Sequence, residues 1–197
     1  MKSFSDLLIA WHAKSGRHHL PWQKSKDPYS VWVSEIMLQQ TQVSRVLVKY
    51  QEFLSLFPTS QSVASAPLQD VLRVWQGLGY NRRAKFLHEA CKKLSQATPT
   101  QTSDYTFLTS LPGVGQSTAG AVLAFTKNIP IVFIETNIRT VILHHFFAHT
   151  QEKVSDANIA TILKKLLTKT SLSPRDFYYA LYDYGTYLKT KLRVQMQ

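Results

Sequence analysis

The amino-acid sequence predicts an all-α protein, and two observations support that class. Apolar residues recur at three- and four-residue spacing through nearly all of the 197 residues, which is the period of an amphipathic helix. The one β-prone stretch, residues 129–134, has no second strand to pair with, so we expect a buried extended connector there. No internal repeat or low-complexity tract interrupts the pattern.

Turn residues divide this pattern into helices. The first helix has apolar residues at positions 4, 7, 8 and 11 and ends near Gly16, and prolines make residues 20–28 a loop. A long helical segment over residues 30–57 breaks near Thr41, and the basic tail from Lys189 is expected to be mobile. Further helices are predicted between Pro58 and Pro67 and over residues 68–75, 82–95, 105–110, 116–125, 135–145, 156–168 and 174–188.

Charge and cysteine content narrow the functional classes. The chain has 23 Lys and Arg against 12 Asp and Glu, a formal net charge of +11, which favours nucleic acid or an anionic membrane surface as partner. The single cysteine, Cys91, excludes an intramolecular disulfide and a multi-cysteine metal or iron–sulfur site, and the histidines lack a metal-binding spacing. No apolar run approaches the roughly 18 residues of a membrane span, so we expect a cytoplasmic protein without a metal.

The sharpest local motif is a glycine turn between two predicted helices, LPGVGQSTA at residues 111–119. Gly113 and Gly115 can take positive φ and let another backbone approach closely. The helix that follows presents free N–H groups and the positive end of its dipole, which suits a phosphate. No Lys-Ser/Thr pair follows the last glycine, so the turn is not a nucleotide P-loop. The alternative is an ordinary corner between two helices.

Glu35 stands out because it interrupts an apolar helical stretch over residues 31–38. A carboxyl group in such surroundings tends to have a raised pKa, which suits a general acid near neutral pH. Gln39 and Gln42 follow at i+4 and i+7 and therefore share its helix face, where they could meet a nucleic acid. The alternative is a glutamate on the helix surface beside exposed glutamines.

Four segments, in order along the chain, form a family pattern. They read LPW (20–22), WVSEIMLQQTQV (32–43), WQGLGY (75–80) and LPGVGQSTAGA (111–121). Together they resemble the MutY family of adenine DNA glycosylases, in the helix-hairpin-helix DNA glycosylase superfamily, over about residues 8–188. The resemblance implies a six-helix lobe over residues 22–130 and a second lobe built from residues 1–21 and 131–197, with duplex DNA bound in the cleft between them.

The resemblance also implies two catalytic carboxylates. Glu35 falls on the family's catalytic glutamate, which protonates the flipped base and then activates water. Glu135 falls where the family has an aspartate that stabilises positive charge on the sugar, and its extra methylene displaces the carboxylate by roughly 1.5 Å, a shift large enough to reduce the rate. The alternative for Glu135 is an ordinary helix start, where the dipole favours an acid. Asn137, in the same motif, is expected to contact DNA.

Ser117 determines the class of chemistry that the resemblance implies. Members of the superfamily that also cut the strand have a lysine here, which attacks the sugar as an amine. Serine forms no Schiff base, so we expect hydrolysis that leaves an abasic site. As an alternative, Ser117 is a capping residue at the helix N-terminus, which is compatible with the same conclusion.

Further matched positions are expected to contact DNA. Gln39, Gln40 and Tyr80 match residues that wedge into the base stack when a nucleotide is flipped out, although Tyr80 could also be a turn aromatic. The basic run that follows, Arg82, Arg83 and Lys85, is interpreted as a solvated or phosphate-facing helix start. Arg17 and Trp22 match the family's N-terminal segment, with plain core as the alternative for Trp22. The hairpin glycines and Gln42 complete the predicted DNA-binding set.

Three departures from the family bear on specificity. Lys189 stands where the first cysteine of an iron–sulfur cluster would be, so we expect no cluster and no cofactor. A C-terminal domain that recognises 8-oxoguanine is expected to be absent. Tyr179 matches a position where relatives place a Glu or Gln that hydrogen-bonds adenine, and a phenol cannot offer the same paired pattern.

The function expected from these observations is a monomeric, monofunctional DNA glycosylase, nucleoid-associated if bacterial, that acts on adenine opposite 8-oxoguanine or guanine. Three alternatives remain open. The first is a glycosylase for another base, namely thymine or uracil opposite guanine, hypoxanthine, or an alkylated purine. The second is a non-catalytic DNA-binding module. The third, a membrane-surface protein, is disfavoured because the positive charges are spread along the chain.

Overall fold

The structure, a computed structural model, describes residues 3–195, with side chains through residue 191. Within that range it consists of helices and loops, which confirms the all-α prediction. None of the described helices is long and apolar enough to cross a membrane. In chain order the α-helices are α1 Phe4–Ser15, α2 Pro21–Lys24, α3 Pro28–Leu38, α4 Val43–Leu56, α5 Ser60–Ser65, α6 Leu68–Trp75, α7 Arg82–Leu94, α8 Tyr105–Thr109, α9 Gln116–Lys127, α10 Thr136–Phe146, α11 Asp156–Lys169 and α12 Pro174–Gln195.

The helices form two compact units. The middle unit is the continuous segment His19–Lys127, and the terminal unit joins residues 3–18 to residues 128–195. These boundaries lie three residues before the positions at which the sequence motifs would divide the chain, 21/22 and 130/131. Each unit has its own buried apolar core and is described separately below.

The middle unit is built around α3. It has six helices of six or more residues, together with the short α2 and α8. Helix α3 contacts α4, α7 and α9, and six of its eleven residues are buried. Its start is fixed by Asp27, whose carboxylate accepts the backbone N–H of Ser30, and by Pro28 in the first turn, where a proline costs no hydrogen bond.

Most predicted helix boundaries agree with the structure to within two residues. The predicted break near Thr41 is confirmed, because α3 ends at Leu38 and α4 begins at Val43. Two predictions were wrong. The expected loop over residues 20–28 contains α2, whose proline presets a helical φ. The helix predicted over residues 174–188 continues as α12 to Gln195, because no Gly or Pro follows Gly185 to end the helix.

The terminal unit packs α1 and α10 against α12. The buried Asp183 of α12 accepts hydrogen bonds from the backbone N and the Nε of Arg17, both at 2.7 Å, and lies 3.2 Å from the Nε2 of His12. Burial works to raise the pKa of Asp183, but the His12 hydrogen bond and the charge and hydrogen bonds of Arg17 outweigh it and hold the pKa below its ordinary value. This ionised carboxylate therefore joins residues 12–17 to α12.

The segment between α9 and α10 is neither helix nor strand, as the sequence predicts for residues 129–134. It is only partly buried, with Phe133 as its buried anchor. The ring of Phe133 packs 4.2 Å from that of Tyr178 on α12, and the Tyr178 hydroxyl donates to the Ile131 carbonyl at 2.7 Å. The segment is thus fixed along α12 and leads directly into the start of α10.

Candidate active site

Glu35 is a partly exposed acid on an otherwise buried helix. Residues 31–34 and the two residues after Glu35 are buried in the core of the middle unit. The Ser34 hydroxyl is satisfied locally, because it donates to the Val31 carbonyl at 2.6 Å. The surrounding core therefore fixes the backbone of Glu35 while its side chain reaches the edge of the apolar packing.

Arg83 holds the end of the helix that carries Glu35. Its side chain is buried, with 9% of the residue exposed, so the interpretation of Arg83 as solvated or phosphate-facing was wrong. The guanidinium presents five N–H donors in a fixed fork, and the bonded groups come from two separate segments of chain. Nη1 donates to the backbone carbonyls of Ile36 and Met37, both at 2.9 Å, and to the carbonyl of Gln39. Nη2 donates to the Thr41 hydroxyl at 2.9 Å and to the carbonyls of Leu78 and Gly79 at 3.0 and 3.1 Å.

Two turns are joined through this guanidinium, residues 39–42 and residues 77–80. The Thr41 hydroxyl also donates to the Leu78 carbonyl at 3.3 Å, which links the turns directly. Each turn contains one non-glycine residue in the left-handed region, Gln40 at φ 55° and Tyr80 at φ 50°. Such backbone conformations are costly for residues with a Cβ and persist only where the surroundings hold them. Arg83 supplies that support.

The side chains of Gln40 and Tyr80 are both exposed, Tyr80 by 63%. The Tyr80 ring contacts the Arg83 guanidinium, which lies 5.4 Å from the ring centre. Gln39 is partly buried and its Nε2 donates to the Thr118 hydroxyl of α9 at 3.4 Å, whereas Gln42 is exposed just before α4. The structure therefore places the predicted wedge residues, Gln39, Gln40 and Tyr80, on the two turns that the Arg83 guanidinium joins.

The hairpin predicted at residues 111–119 is a tight turn between α8 and α9. The Val114 N–H donates to the Leu111 carbonyl at 3.1 Å, and both side chains are buried beneath the turn. Gly113 has φ +75°, whereas Gly115 does not have a positive φ, so the backbone conformation there does not require a glycine. Ser117 is the second residue of α9 rather than its cap.

We expect Gly113→Ala to weaken the hairpin and Gly115→Ala to leave it nearly intact. A Cβ at Gly113 would sit in the left-handed region and 2.9 Å from the Phe86 Cβ, whereas a Cβ at Gly115 would meet nothing within 4 Å. The left-handed conformation alone costs about 1–2 kcal/mol for a residue with a Cβ. Urea unfolding of the two variants and the parent measures the difference. Equal unfolding free energies for the two alanine variants would contradict this account of the turn.

Glu135 caps α10 in the terminal unit. Its Oε1 accepts the Ile138 backbone N–H at 2.7 Å, and its Oε2 accepts the Asn137 Nδ2 at 3.2 Å. The Oδ1 of the same Asn137 amide accepts the Nζ of Lys189, from α12, at 2.8 Å. The carboxylate is therefore held by the N-terminus of α10 and by Asn137, which is in turn held by Lys189 of α12.

The surroundings of Glu135 push its ionisation in two directions. Burial raises its pKa, while hydrogen bonds from the first turn of α10 and the positive charge of Lys189 lower it. Burial dominates, and the pKa lies above the ordinary glutamate value. A raised carboxylate pKa together with a defined set of donors is common at functional sites.

Three other predicted site residues have clear structural partners. Arg17 is paired with Asp183 within the terminal unit. Trp22 is buried in the core of the middle unit, 3% exposed, with its ring edge-to-face on Tyr50 at 5.4 Å. Tyr179 is buried on α12, and the Arg175 guanidinium lies 5.2 Å from its ring centre. The described side chains contain no group of three or more potential His, Cys, Asp or Glu metal ligands.

The sequence did not reveal the buried bridging role of Arg83 or the contact of Lys189 with Asn137. The acceptors of Arg83 are almost all backbone carbonyls, which leave no mark in a pattern of side chains. Lys189 and Asn137 are 52 residues apart, with no motif connecting them. Gly185, one turn before Lys189, was a possible signal, because an isolated glycine inside a helical pattern often marks a close approach.

Comparisons with known proteins place the chain in a family. The family model described as "HhH-GPD superfamily base excision DNA repair protein" matches residues 33–169. A protein of Buchnera aphidicola subsp. Baizongia pistaciae named adenine DNA glycosylase is 36% identical over 195 residues, 95% of this chain and 53% of the relative. One of the same name from Mycobacterium tuberculosis is 40% identical over 137 residues, 68% of this chain and 45% of the relative. The chain thus spans about half the length of these relatives.

Solved structures agree on the fold. A thermostable thymine-DNA glycosylase superposes with a TM-score of 0.77 at 22% identity, covering 91% of this chain and 82% of that one. A 3-methyladenine DNA glycosylase of H. pylori bound to 1,N6-ethenoadenine gives a TM-score of 0.71 at 12% identity, covering 94% and 96%. At these identities the likeness establishes the helical architecture.

Proposed function

The chain belongs to the HhH-GPD superfamily of base excision DNA repair proteins, and from this premise we propose that it is a DNA glycosylase that removes adenine from mispairs. The substrate would be duplex DNA with adenine opposite 8-oxoguanine or guanine. Relatives named adenine DNA glycosylase support the choice of base. The opposite base rests on the resemblance of the sequence motifs alone.

One structural observation supports this activity most strongly. The buried Arg83 guanidinium joins the end of α3, which carries the acid Glu35, to the two turns that carry Gln40 and Tyr80. Gln40 and Tyr80 are exposed and have left-handed backbone conformations. Extruding a base from a duplex costs a few kcal/mol, and planar groups that fill the vacated space offset that cost. A phenol ring and an amide on rigid turns suit this task.

In the proposed reaction Glu35 acts as an acid and then as a base. It donates a proton to the flipped adenine, the N-glycosidic bond breaks, and the electron pair of that bond leaves with the base. The Glu35 carboxylate then accepts a proton from water as the water oxygen bonds to C1′ of the sugar, which restores protonated Glu35.

Glu135 is proposed to stabilise the positive charge on the sugar during this reaction. Its ionised carboxylate is already hydrogen-bonded, so it needs little reorganisation when the charge develops. We further propose that the middle and terminal units act as the two DNA-binding lobes of a monomer, with the hairpin at Gly113 and Gly115 on a backbone phosphate. The site of action would be cytoplasmic DNA, within the nucleoid of a bacterial cell.

We expect hydrolysis without strand cleavage. Ser117 occupies the position at which an amine nucleophile would be needed, and its hydroxyl forms no Schiff base. The parent protein should therefore give breaks only after hot alkali, and borohydride should trap no covalent adduct. Alkali-independent breaks with a trapped adduct would contradict monofunctional chemistry.

The decisive experiment is single-turnover cleavage of end-labelled duplexes. Each duplex carries one test pair: adenine opposite 8-oxoguanine or guanine, or thymine, uracil or hypoxanthine opposite its usual mispair partner. Alkali-dependent breaks at the adenine pairs support the proposal. Breaks only at another pair would change the base but keep the enzyme class. Tight binding with no breaks at any pair would favour the alternative of a non-catalytic DNA-binding module.

A further inference from the structure

The contacts behind Glu135 form an ordered chain of three side chains from two helices. Lys189 Nζ donates to Asn137 Oδ1 at 2.8 Å, Asn137 Nδ2 donates to Glu135 Oε2 at 3.2 Å, and Glu135 Oε1 accepts the Ile138 N–H at 2.7 Å. Both carboxylate oxygens are thus engaged. The chain lies within the terminal unit.

A lysine in this position holds the asparagine amide in the orientation that the Glu135 carboxylate needs. An asparagine side chain has an acceptor oxygen and a donor nitrogen, and an ionised carboxylate can only accept, so the nitrogen must face Glu135. A lysine ammonium group has donors only, so it hydrogen-bonds the oxygen alone. With Lys189 on Oδ1, the Nδ2 of Asn137 is directed to Glu135, where it donates to the carboxylate.

The packing of α10 on α12 makes this reach possible. Gly185 lies one helical turn before Lys189, and a Cβ there would be 2.5 Å from the Asn137 carbonyl oxygen. The two helices therefore approach closely at the asparagine. The ammonium group also brings a positive charge near the buried carboxylate, which favours its ionised form.

We propose that Lys189 is a positioning residue that acts through Asn137 to orient Glu135 for charge stabilisation. This inference rests on the proposed glycosylase function. Without the lysine, the Oδ1 of Asn137 loses the donor that holds it, so the amide can rotate away and leave Glu135 Oε2 without its hydrogen bond. A displacement near 1 Å costs on the order of 100-fold in rate.

The test compares Lys189→Met with Lys191→Met, a matched control. Lys191 is exposed on the same helix, with its Nζ 5.8 Å from the Tyr187 ring centre, and its replacement removes the same charge. Single-turnover rates on the adenine duplex and DNA dissociation constants are measured for both. We expect Lys189→Met to reduce the rate about 10-fold to 100-fold with a dissociation constant like that of the control. A Lys189→Met rate equal to that of the control would overturn the inference.

Two further variants separate positioning from a purely structural role. Lys189→Arg keeps a donor-only cation and should recover most of the rate. In an Asn137→Ala background, Lys189→Met should cause little additional loss, because the residue through which it acts is gone. Losses that simply multiply in the double variant would show that Lys189 acts by another route.

A readout independent of catalysis keeps this inference distinct from the proposed function. In a ¹³C NMR titration of the glutamate carboxyl groups, Lys189→Met should raise the pKa of Glu135 and Lys191→Met should not. If the parent protein cleaves no duplex, the proposed function fails and the titration alone decides. A Glu135 pKa that is unchanged by Lys189→Met would then overturn the inference.

Discussion

A Glu35→Gln variant should bind duplex DNA as the parent does and excise almost no adenine. The amide keeps the size and hydrogen-bonding capacity of the side chain but cannot donate the proton or activate water. General acid–base catalysis contributes roughly 100-fold to 10,000-fold in rate, so the single-turnover rate should decrease by about that factor. The measurement pairs this rate with a binding titration on the same duplex.

The matched control is Glu52→Gln. Glu52 is an exposed glutamate of the same middle unit, and its carboxylate pairs with Lys49, three residues away, at 2.8 Å. Surface pairs of this kind contribute little, so its rate, affinity and unfolding free energy should stay close to those of the parent. A Glu35→Gln variant that cleaves as fast as this control would exclude Glu35 as the proton donor.

A Glu135→Gln variant should lose activity, and its stability relative to the parent should increase as pH rises. Removing a preorganised charge from a reacting centre costs on the order of 100-fold to 1,000-fold in rate. Glutamine retains an oxygen that can accept the Ile138 N–H, while its Nε2 meets the Asn137 Nδ2, and neither of these contacts changes with pH. The two effects oppose each other because the ionised carboxylate is favourable for chemistry and costly for the buried site that holds it.

The pH dependence of stability follows from the sign of the pKa shift. Burial raises the pKa of Glu135 above its unfolded value, so the stability gained with the protonated form is fully present below that unfolded value and is lost as pH rises through the folded pKa. Glutamine does not titrate. The difference in unfolding free energy between variant and parent should therefore grow across this pH window. Thermal unfolding at several pH values measures it, and a pH-independent difference, or excision at the parent rate, would contradict the assignment.

The fold was largely readable from the sequence because helix formation here is a local matter. The apolar period, the N-cap at Asp27 and the prolines at 58 and 67 fix element boundaries through contacts within a few residues. Helix α2 was missed because a single turn is too short to show a period. The extension of α12 was missed because residues 189–195 are mostly polar or charged, and two apolar residues, Leu192 and Val194, are too few to show a helical period.

The candidate site was readable only for residues that belong to motifs. Glu35, Glu135 and the hairpin glycines lie in local patterns whose residue types match their chemistry. Arg83 does not, because its function depends on carbonyl groups brought together by folding of residues 36–41 with 78–79. Lys189 likewise reaches Asn137 only because α10 and α12 pack closely at Gly185, and this tertiary contact cannot be recognised from spacing along the chain.

The ion pair between Arg17 and Asp183 has a consequence for biosynthesis on the ribosome. The two residues are 166 positions apart, and at 5–20 residues per second the ribosome needs roughly ten to thirty seconds to translate that distance. The middle unit is one continuous segment and can fold in the meantime. An isolated helix of 12 residues is marginal in water, so the segment of α1 stays largely unfolded, with Leu8 uncovered, until α12 leaves the exit tunnel. The nascent chain therefore completes its terminal unit last, although it makes part of that unit first.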